Sequence, residues 1–374
     1  MDNNKFRVCH ITSAHSNEDV RIFHKECVSL ANAGYQVFLV APGDSFQEEG
    51  VNIVGLGAKP ASRLQRMTQY AKAAYKTAVQ TDAHIYHIHD PELLPYALRL
   101  FKSGAKVIYD SHENYREQIL QKEYLPKVMR RVIASLFFRY ETYVLKYIDA
   151  AIVPCRFSGK NIFEGRAKRT VYLDNVPKDI FAKAPLHSKS RFESNKVCYV
   201  GGLSHSRGIT HLMRACCKAN AQLILAGSFT PADYHGQLKQ MVEYRHVDYR
   251  GQLNHEQVSD IYSEAAIGMC TILNIGQYNT GDNLATKVYE YMSSGLPVII
   301  TNSARARQLM SEHQFGITVE PDGIDDIALA IRYLLDNPDV AEEMGSNGRR
   351  AVLEELNWNV EERKLLILYE ELLT

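Results

Sequence analysis

Apolar residues along the chain alternate between short continuous runs and longer stretches where they recur every three or four positions. The short runs predict strands over residues 6–12, 35–40, 85–89, 149–154 and 166–173, with residues 106–113 forming one more strand and its turn. Between them, helical spacing covers 20–33, 63–80, a segment after Pro95, and one or two long helices over 117–147. After a polar stretch broken by Pro185 the alternation restarts. Strands are predicted over 196–200, 222–226, 247–251, 267–272 and 316–319, with a further one from residue 298. Helices are predicted over 209–219, 255–264, the residues before Gly295, 325–335, 340–356 and 360–373. Strands alternating with helices call for parallel, doubly wound sheets, so the fold class is α/β in two Rossmann-like domains. Their expected bounds are 1–180 and 196–357, joined by a linker over 181–195.

Composition agrees with two domains and narrows the partners. A chain of 374 residues is long for a single core. Its 43 basic and 43 acidic residues balance, so a nucleic-acid partner has no support. The balance is uneven, however: residues 1–180 carry 25 Lys+Arg against 19 Asp+Glu, and the excess reverses afterwards. The first half is therefore the one suited to an anionic surface. Neither a signal-like leader nor an apolar run of about 18 residues is visible, and a cytoplasmic protein is expected. Seven scattered cysteines without a Cys-x-x-Cys pair read as reduced packing residues.

The candidate chemistry centres on residues 281–300. Asp282 or Asn283 can cap a helix that Gly295 and Pro297 end, and Thr286 and Lys287 fall in its first turn, where free N–H groups favour an anion. Asp282 and Glu290 would share roughly one face if the helix covers both. A solvated acidic helix face is the plainer alternative. In the turn 201–208, glycines including Gly202 let backbone approach a phosphate, and Arg207 offers a planar fork for its oxygens. In the first domain, the loop after the first strand opens at the carboxyl edge of the sheet, making His15, Asp19 and Arg21 candidates for an acceptor; the loop can equally be merely solvated. Gly55-Leu-Gly57 begins a dinucleotide fingerprint that Pro60 breaks, and no Tyr-x-x-x-Lys pair occurs, which disfavours an oxidoreductase. His87 and His89 alternate on a strand and could begin a metal site, but the remaining ligands of a dinuclear hydrolase do not follow. A hydrogen-bonded strand end is the preferred reading, with no metal ligands assigned. The basic amphipathic segment 117–147 can lie on an anionic leaflet or be a core helix with a solvated back.

An acid, seven residues and a glutamate before Met-x-x-Gly-x-Pro-Val-Ile resemble the C-terminal signature of the family-4 retaining glycosyltransferases of GT-B fold. His-Asp-Pro-Glu-Leu-Leu-Pro at 89–95 resembles a bacterial subgroup of the same family. The resemblance implies two domains with a cleft between them, and a last helix, 358–374, that returns to the first domain. It gives Asp282 the donor sugar and Glu290 the ribose, with aspartate replacing the usual glutamate at 282. His112 would lie over the sugar near the reacting carbon, with Asp110 or Glu113 fixing its tautomer. Leu253 would cover the nucleobase. Gly202 stands where the family usually has a cation, so Arg207 and Lys287 share the diphosphate.

The expected activity is a metal-independent, retaining hexosyl transfer without a cofactor, from a nucleotide sugar with uridine as the expected base. The acceptor is a glycan or lipid-linked hydroxyl in bacterial surface polysaccharide synthesis, at the inner face of the cell membrane. A nucleotide-sugar epimerase and a non-catalytic nucleotide-sugar binding module are the rival readings.

Overall fold

The computed structural model describes residues 6–122, 124–155, 160–178, 189–275 and 284–374, which form two compact units. The first comprises Met1–Asn175 with Trp358–Thr374, and the second Val176–Asn357.

In the first unit the strands are β1 (Arg7–Ile11), β2 (Gln36–Ala41), β3 (Phe46–Glu48), β4 (Val51–Gly55), β5 (Ile85–Ile88), β6 (Lys106–Asp110), β7 (Ala150–Val153) and β8 (Thr170–Tyr172). Their order is β3-β4-β2-β1-β5-β6-β7-β8, parallel except for the β3–β4 pair. Both faces are covered. Alternate residues of β1 feed different cores, Val8 with Ile22, Phe23, Leu365 and Tyr369 on one side, Cys9 and Ile11 with Ala74, Leu94 and Val144 on the other. The strand order reverses between β1 and β5, so a crevice opens beyond their carboxyl ends, at Thr12–Ala14 and His89–Asp90.

Several elements are shorter than their sequence pattern. The run over 166–173 pairs only as β8, and the 117–147 segment divides into Tyr115–Leu120 and Lys127–Leu145, with Pro126 as the second helix's N-cap. The C-terminal helix Trp358–Leu373 packs in the first unit, where the Trp358 indole N–H donates to Ser29 Oγ at 2.8 Å. Among the described residues no helix is long and apolar enough to cross a membrane.

The second unit has β9 (Lys196–Val200), β10 (Gln222–Ala226), β11 (Val247–Tyr249), β12 (Ile267–Cys270), β13 (Val298–Thr301) and β14 (Gly316–Val319). All are parallel in the order β11-β10-β9-β12-β13-β14, which puts a second reversal between β9 and β12. The expected linker needs correction, because the unit begins at Val176, inside its own core, and residues from 189 belong to it. Phe192 is buried there, and the Arg191 guanidinium donates to the carbonyls of Tyr262, Ser294 and Gly295 at 3.2, 3.0 and 2.6 Å.

Candidate active site

In the second unit the β9–β12 reversal is lined by the turn 201–208 and the helix Thr286–Ser293. Gly201 and Gly208 hold positive φ, 128° and 75°. A Cβ on Gly208 would lie 1.8 Å from the Thr271 carbonyl, so only glycine fits there. Gly208 caps the helix Ile209–Ala219. Opposite, the helix Thr286–Ser293 stops at Gly295, whose φ is 68°, with Leu296 N–H closing on Tyr291 O at 2.9 Å. Its first turn sends Lys287 inward: the ammonium sits 3.4 Å above the Tyr199 ring and would be 2.9 Å from a Cβ on Gly201. Burial lowers the Lys287 pKa to about 8, with Arg207 adding to the shift and Cys270 and Glu290 opposing it.

Arg207, in the turn 201–208, is near enough to Lys287 to add to its shift. A Cβ on Gly202, by contrast, meets open space. One turn further along the helix, the Tyr262 hydroxyl donates to Glu290 Oε2 at 2.9 Å, while Tyr291 Oη accepts from Val200 N–H at 3.0 Å and ties the helix to β9. Leu253 is half-buried against the core that holds Val288 and Tyr289, and Thr286 is exposed. Asp282 and Asn283 lie outside the described residues. Among the described residues the helix starts at Thr286 with Ala285 as N-cap.

In the first unit the β1–β5 crevice is built on the Asp90 carboxylate. Its Oδ2 accepts from Thr12 Oγ1, Ser13 N–H and Ala14 N–H at 2.8, 2.6 and 3.1 Å, which folds the loop back over the strand ends. His15 is held between Asp19 (Nδ1–Oδ2, 3.3 Å) and Asp90 (Nε2–Oδ1, 3.5 Å). Burial alone would lower its pKa, but the Asp19 and Asp90 carboxylates outweigh burial and raise it. The His112 ring packs 4.6 Å from the His15 ring. Its Nε2 is 3.1 Å from His89 Nδ1 and 3.6 Å from Asp110 Oδ2. Burial drives the His112 pKa down to about 3 despite Asp110, with Arg21, His89 and His15 adding to the drop, so the imidazole is neutral at pH 7. These two histidines, with Arg66, Glu92, Glu113 and Tyr115, line a cavity of about 600 Å³.

Two of the three expected acceptor contacts are corrected. Arg21 is buried, its guanidinium spanning Asp110 (Nε and Nη2 to Oδ2, 3.1 and 3.0 Å), Glu26 (3.1 Å) and the Leu173 carbonyl (2.9 Å). Asp19 caps the helix beginning at Val20, accepting from the N–H groups of Arg21 and Ile22. Only His15 of the three lines the cavity. Glu113 turns to Gln118, leaving Asp110 and His89 beside His112. Residue-by-residue reading passed over Asp90, Glu92, Tyr199 and Tyr262. Asp90 and Glu92 stood in a noted motif without roles, and the two tyrosines carry no local signal.

Two family descriptions match adjoining parts of the chain, "Glycosyltransferase Family 4" over residues 20–172 and "Glycosyl transferases group 1" over residues 183–351. The chain belongs to the glycosyltransferases of the family-4 kind, with the GT-B fold. No curated protein sequence matches it significantly. Among solved structures it is similar to the sucrose-phosphate synthase of Thermosynechococcus elongatus, at 17% identity and TM-score 0.77, covering 99% of both chains. A glycosyltransferase from Rickettsia africae gives 15% and 0.74, again over 99% of both. HepE of Anabaena in complex with UDP and glucose gives 13% and 0.73, over 98% of this chain and 100% of that one.

Proposed function

We propose that the protein is a retaining hexosyltransferase that moves a sugar from a UDP-linked donor to a hydroxyl of a glycan or lipid-linked acceptor in bacterial surface polysaccharide synthesis. The observation that carries the reading is the buried Lys287 ammonium, turned onto the Gly201 turn with Arg207 beside it. Two cations and the N-terminus of the helix Ile209–Ala219 form a cradle for a diphosphate whose charge grows as it departs. We assign Glu290, which accepts from Tyr262, to the ribose hydroxyls. UDP is favoured because HepE, of the same fold, was solved with UDP-glucose.

Lys287 and Arg207 supply the positive charge that a metal ion supplies elsewhere, so we assign the leaving-group role to them. In same-face displacement the bond from the anomeric carbon to the diphosphate breaks as the acceptor oxygen bonds that carbon. The acceptor proton passes to the departing phosphate oxygen. A neutral His112 suits this step, since it can hydrogen-bond sugar hydroxyls without competing for the diphosphate. Incubating the protein with a panel of nucleotide sugars, with and without lipid-linked acceptors, and following nucleotide release is the direct test. We expect acceptor-dependent UDP release, and Glu290→Ala to lower turnover rather than affinity alone. Release without acceptor would mark an epimerase or hydrolase. Binding without release would mark a non-catalytic module.

A lipid-linked acceptor on the inner face of the cell membrane also suits the helix Lys127–Leu145. Val128 and Leu136 are 74% and 60% exposed. Exposed Lys127, Arg131 and Arg139 lie on the same helix, and its Phe137 lines the cavity of His15 and His112. Apolar side chains outside and cations beside them match an anionic leaflet. Arg131→Glu with Arg139→Glu should weaken sedimentation with phosphatidylglycerol vesicles at low salt by at least about tenfold, each cation contributing about 1 kcal/mol. Wild-type protein that stays wholly in the supernatant rules the membrane role out.

A further inference from the structure

A second polar cluster lies inside the first unit, away from every group assigned to donor or acceptor except His112. The two-residue period of β1 puts Val8 and His10 on one face, that of β5 does the same for Ile85 and His87, and the parallel register sets His10 beside His87. His89 follows at the end of β5, and Glu26 reaches them from the helix Val20–Cys27. All four are completely buried. One donor atom from each lies within 4.8 Å of the other three.

The distances among them are specific. His10 Nδ1 and His89 Nε2 are 2.9 Å apart, and Glu26 Oε2 is 3.8 and 3.9 Å from them. A point equidistant from these three atoms is about 2.1 Å from each, the length of a bond from a transition metal to imidazole or carboxylate and well short of a hydrogen bond to water. Glu26 Oε2 and His87 Nε2 are buried without a hydrogen-bond partner. Two such atoms together are costly unless something between them satisfies them.

The outward-facing atoms, by contrast, are engaged. Tyr369 Oη is 3.0 Å from His10 Nε2 and 2.8 Å from His87 Nδ1. His89 Nδ1 is 3.1 Å from His112 Nε2 and 3.6 Å from Asp110 Oδ2, and Arg21 Nε is 3.1 Å from Glu26 Oε1. The inner atoms of His10 and His89 meet only each other, at hydrogen-bond distance, those of Glu26 and His87 meet nothing, and the outer atoms are held, which is the arrangement of ligands with a supporting shell.

We propose that His10, Glu26, His87 and His89 bind a divalent first-row transition-metal ion. Three imidazoles and one carboxylate suit manganese, iron, cobalt, nickel or zinc and disfavour calcium and magnesium, which take oxygen ligands. The angle between His10 and His89 at the equidistant point is about 90°, which suits five or six ligands better than a tetrahedron. The ion clamps β1, β5 and the Val20–Cys27 helix together. It also holds His89 so that its Nδ1 faces His112, and it takes no part in gripping the donor.

The test uses untagged full-length protein, stripped with chelator and then incubated separately with Mn²⁺, Fe²⁺, Co²⁺, Ni²⁺ and Zn²⁺. Elemental analysis after gel filtration should find about one ion per chain for at least one metal, with a higher unfolding midpoint in its presence. Glu26→Gln should lower the affinity more than tenfold with its circular dichroism unchanged. If that variant does not fold, X-ray absorption of the wild-type cobalt form decides, with two or three imidazole nitrogens near about 2.1 Å expected. Folded wild-type protein that retains none of the five ions, or Glu26→Gln retaining as much as wild type, or a cobalt form lacking imidazole ligation, overturns the proposal.

Discussion

Lys287→Met should lower kcat/KM for the nucleotide sugar by about 10²- to 10³-fold, the usual cost of removing one preorganised group that meets developing charge in a water-poor site. Methionine is the informative replacement. It keeps most of the length and volume of the side chain against Tyr199 and Gly201 while removing the charge. The fold should therefore survive, and the loss should fall on kcat as well as KM. Titration gives an independent check on the same residue. With burial lowering its pKa to about 8 in the free protein, Lys287 is charged below that pH and neutral above it. The kcat/KM profile should therefore fall on the alkaline side near pH 8, and the methionine variant should lack that limb. A bound diphosphate favours the charged form, so the corresponding limb in kcat should lie at higher pH. A methionine variant with wild-type kcat/KM and an unchanged profile would remove Lys287 from the donor site.

What the sequence made legible depends on whether a feature is local. Strands buried on both faces show as short apolar runs, which is why β1, β5, β9 and β12 and their crevices could be anticipated. β3 was missed because it is a three-residue edge strand, Phe46–Glu48, with two exposed polar residues. The helix Ala304–His313 was missed because its sequence, ARARQLMSEH, buries only Ala306 and Leu309. Lys287 was legible because helix start, glycine turn and charge sit in recognisable local patterns. Arg21 was not: its partner Asp110 is 89 positions away, and nothing near Arg21 tells a buried guanidinium from an open one. The histidine cluster failed for the same reason, since His87 and His89 are two positions apart in sequence while His10 and Glu26 join them only through the sheet register and an overlying helix.

Arg21→Met should destabilise the first unit by about 3–5 kcal/mol, the usual cost of breaking a buried ion pair by removing one partner. The guanidinium is bidentate to Asp110, reaches Glu26 and satisfies the Leu173 carbonyl. Without it the buried Asp110 carboxylate loses its bidentate guanidinium partner and Glu26 Oε1 its contact. Trp358, the only tryptophan in the chain, reports on this unit, because its indole is buried and donates to Ser29. Its fluorescence should show unfolding at distinctly lower urea, whereas Lys287→Met, in the other unit, should leave that transition where it is. Arg21→Lys keeps the charge but not the planar fork and should fall between wild type and Arg21→Met. An unchanged Trp358 transition in Arg21→Met would mean that the guanidinium is not the strut its geometry describes. His112 supplies a readout that packing loss alone would not move. Burial dominates its low pKa, Asp110 works against that and Arg21 works with it. Removing Arg21 should therefore raise the His112 pKa, visible as an upward shift of its imidazole titration under conditions where the variant is still folded.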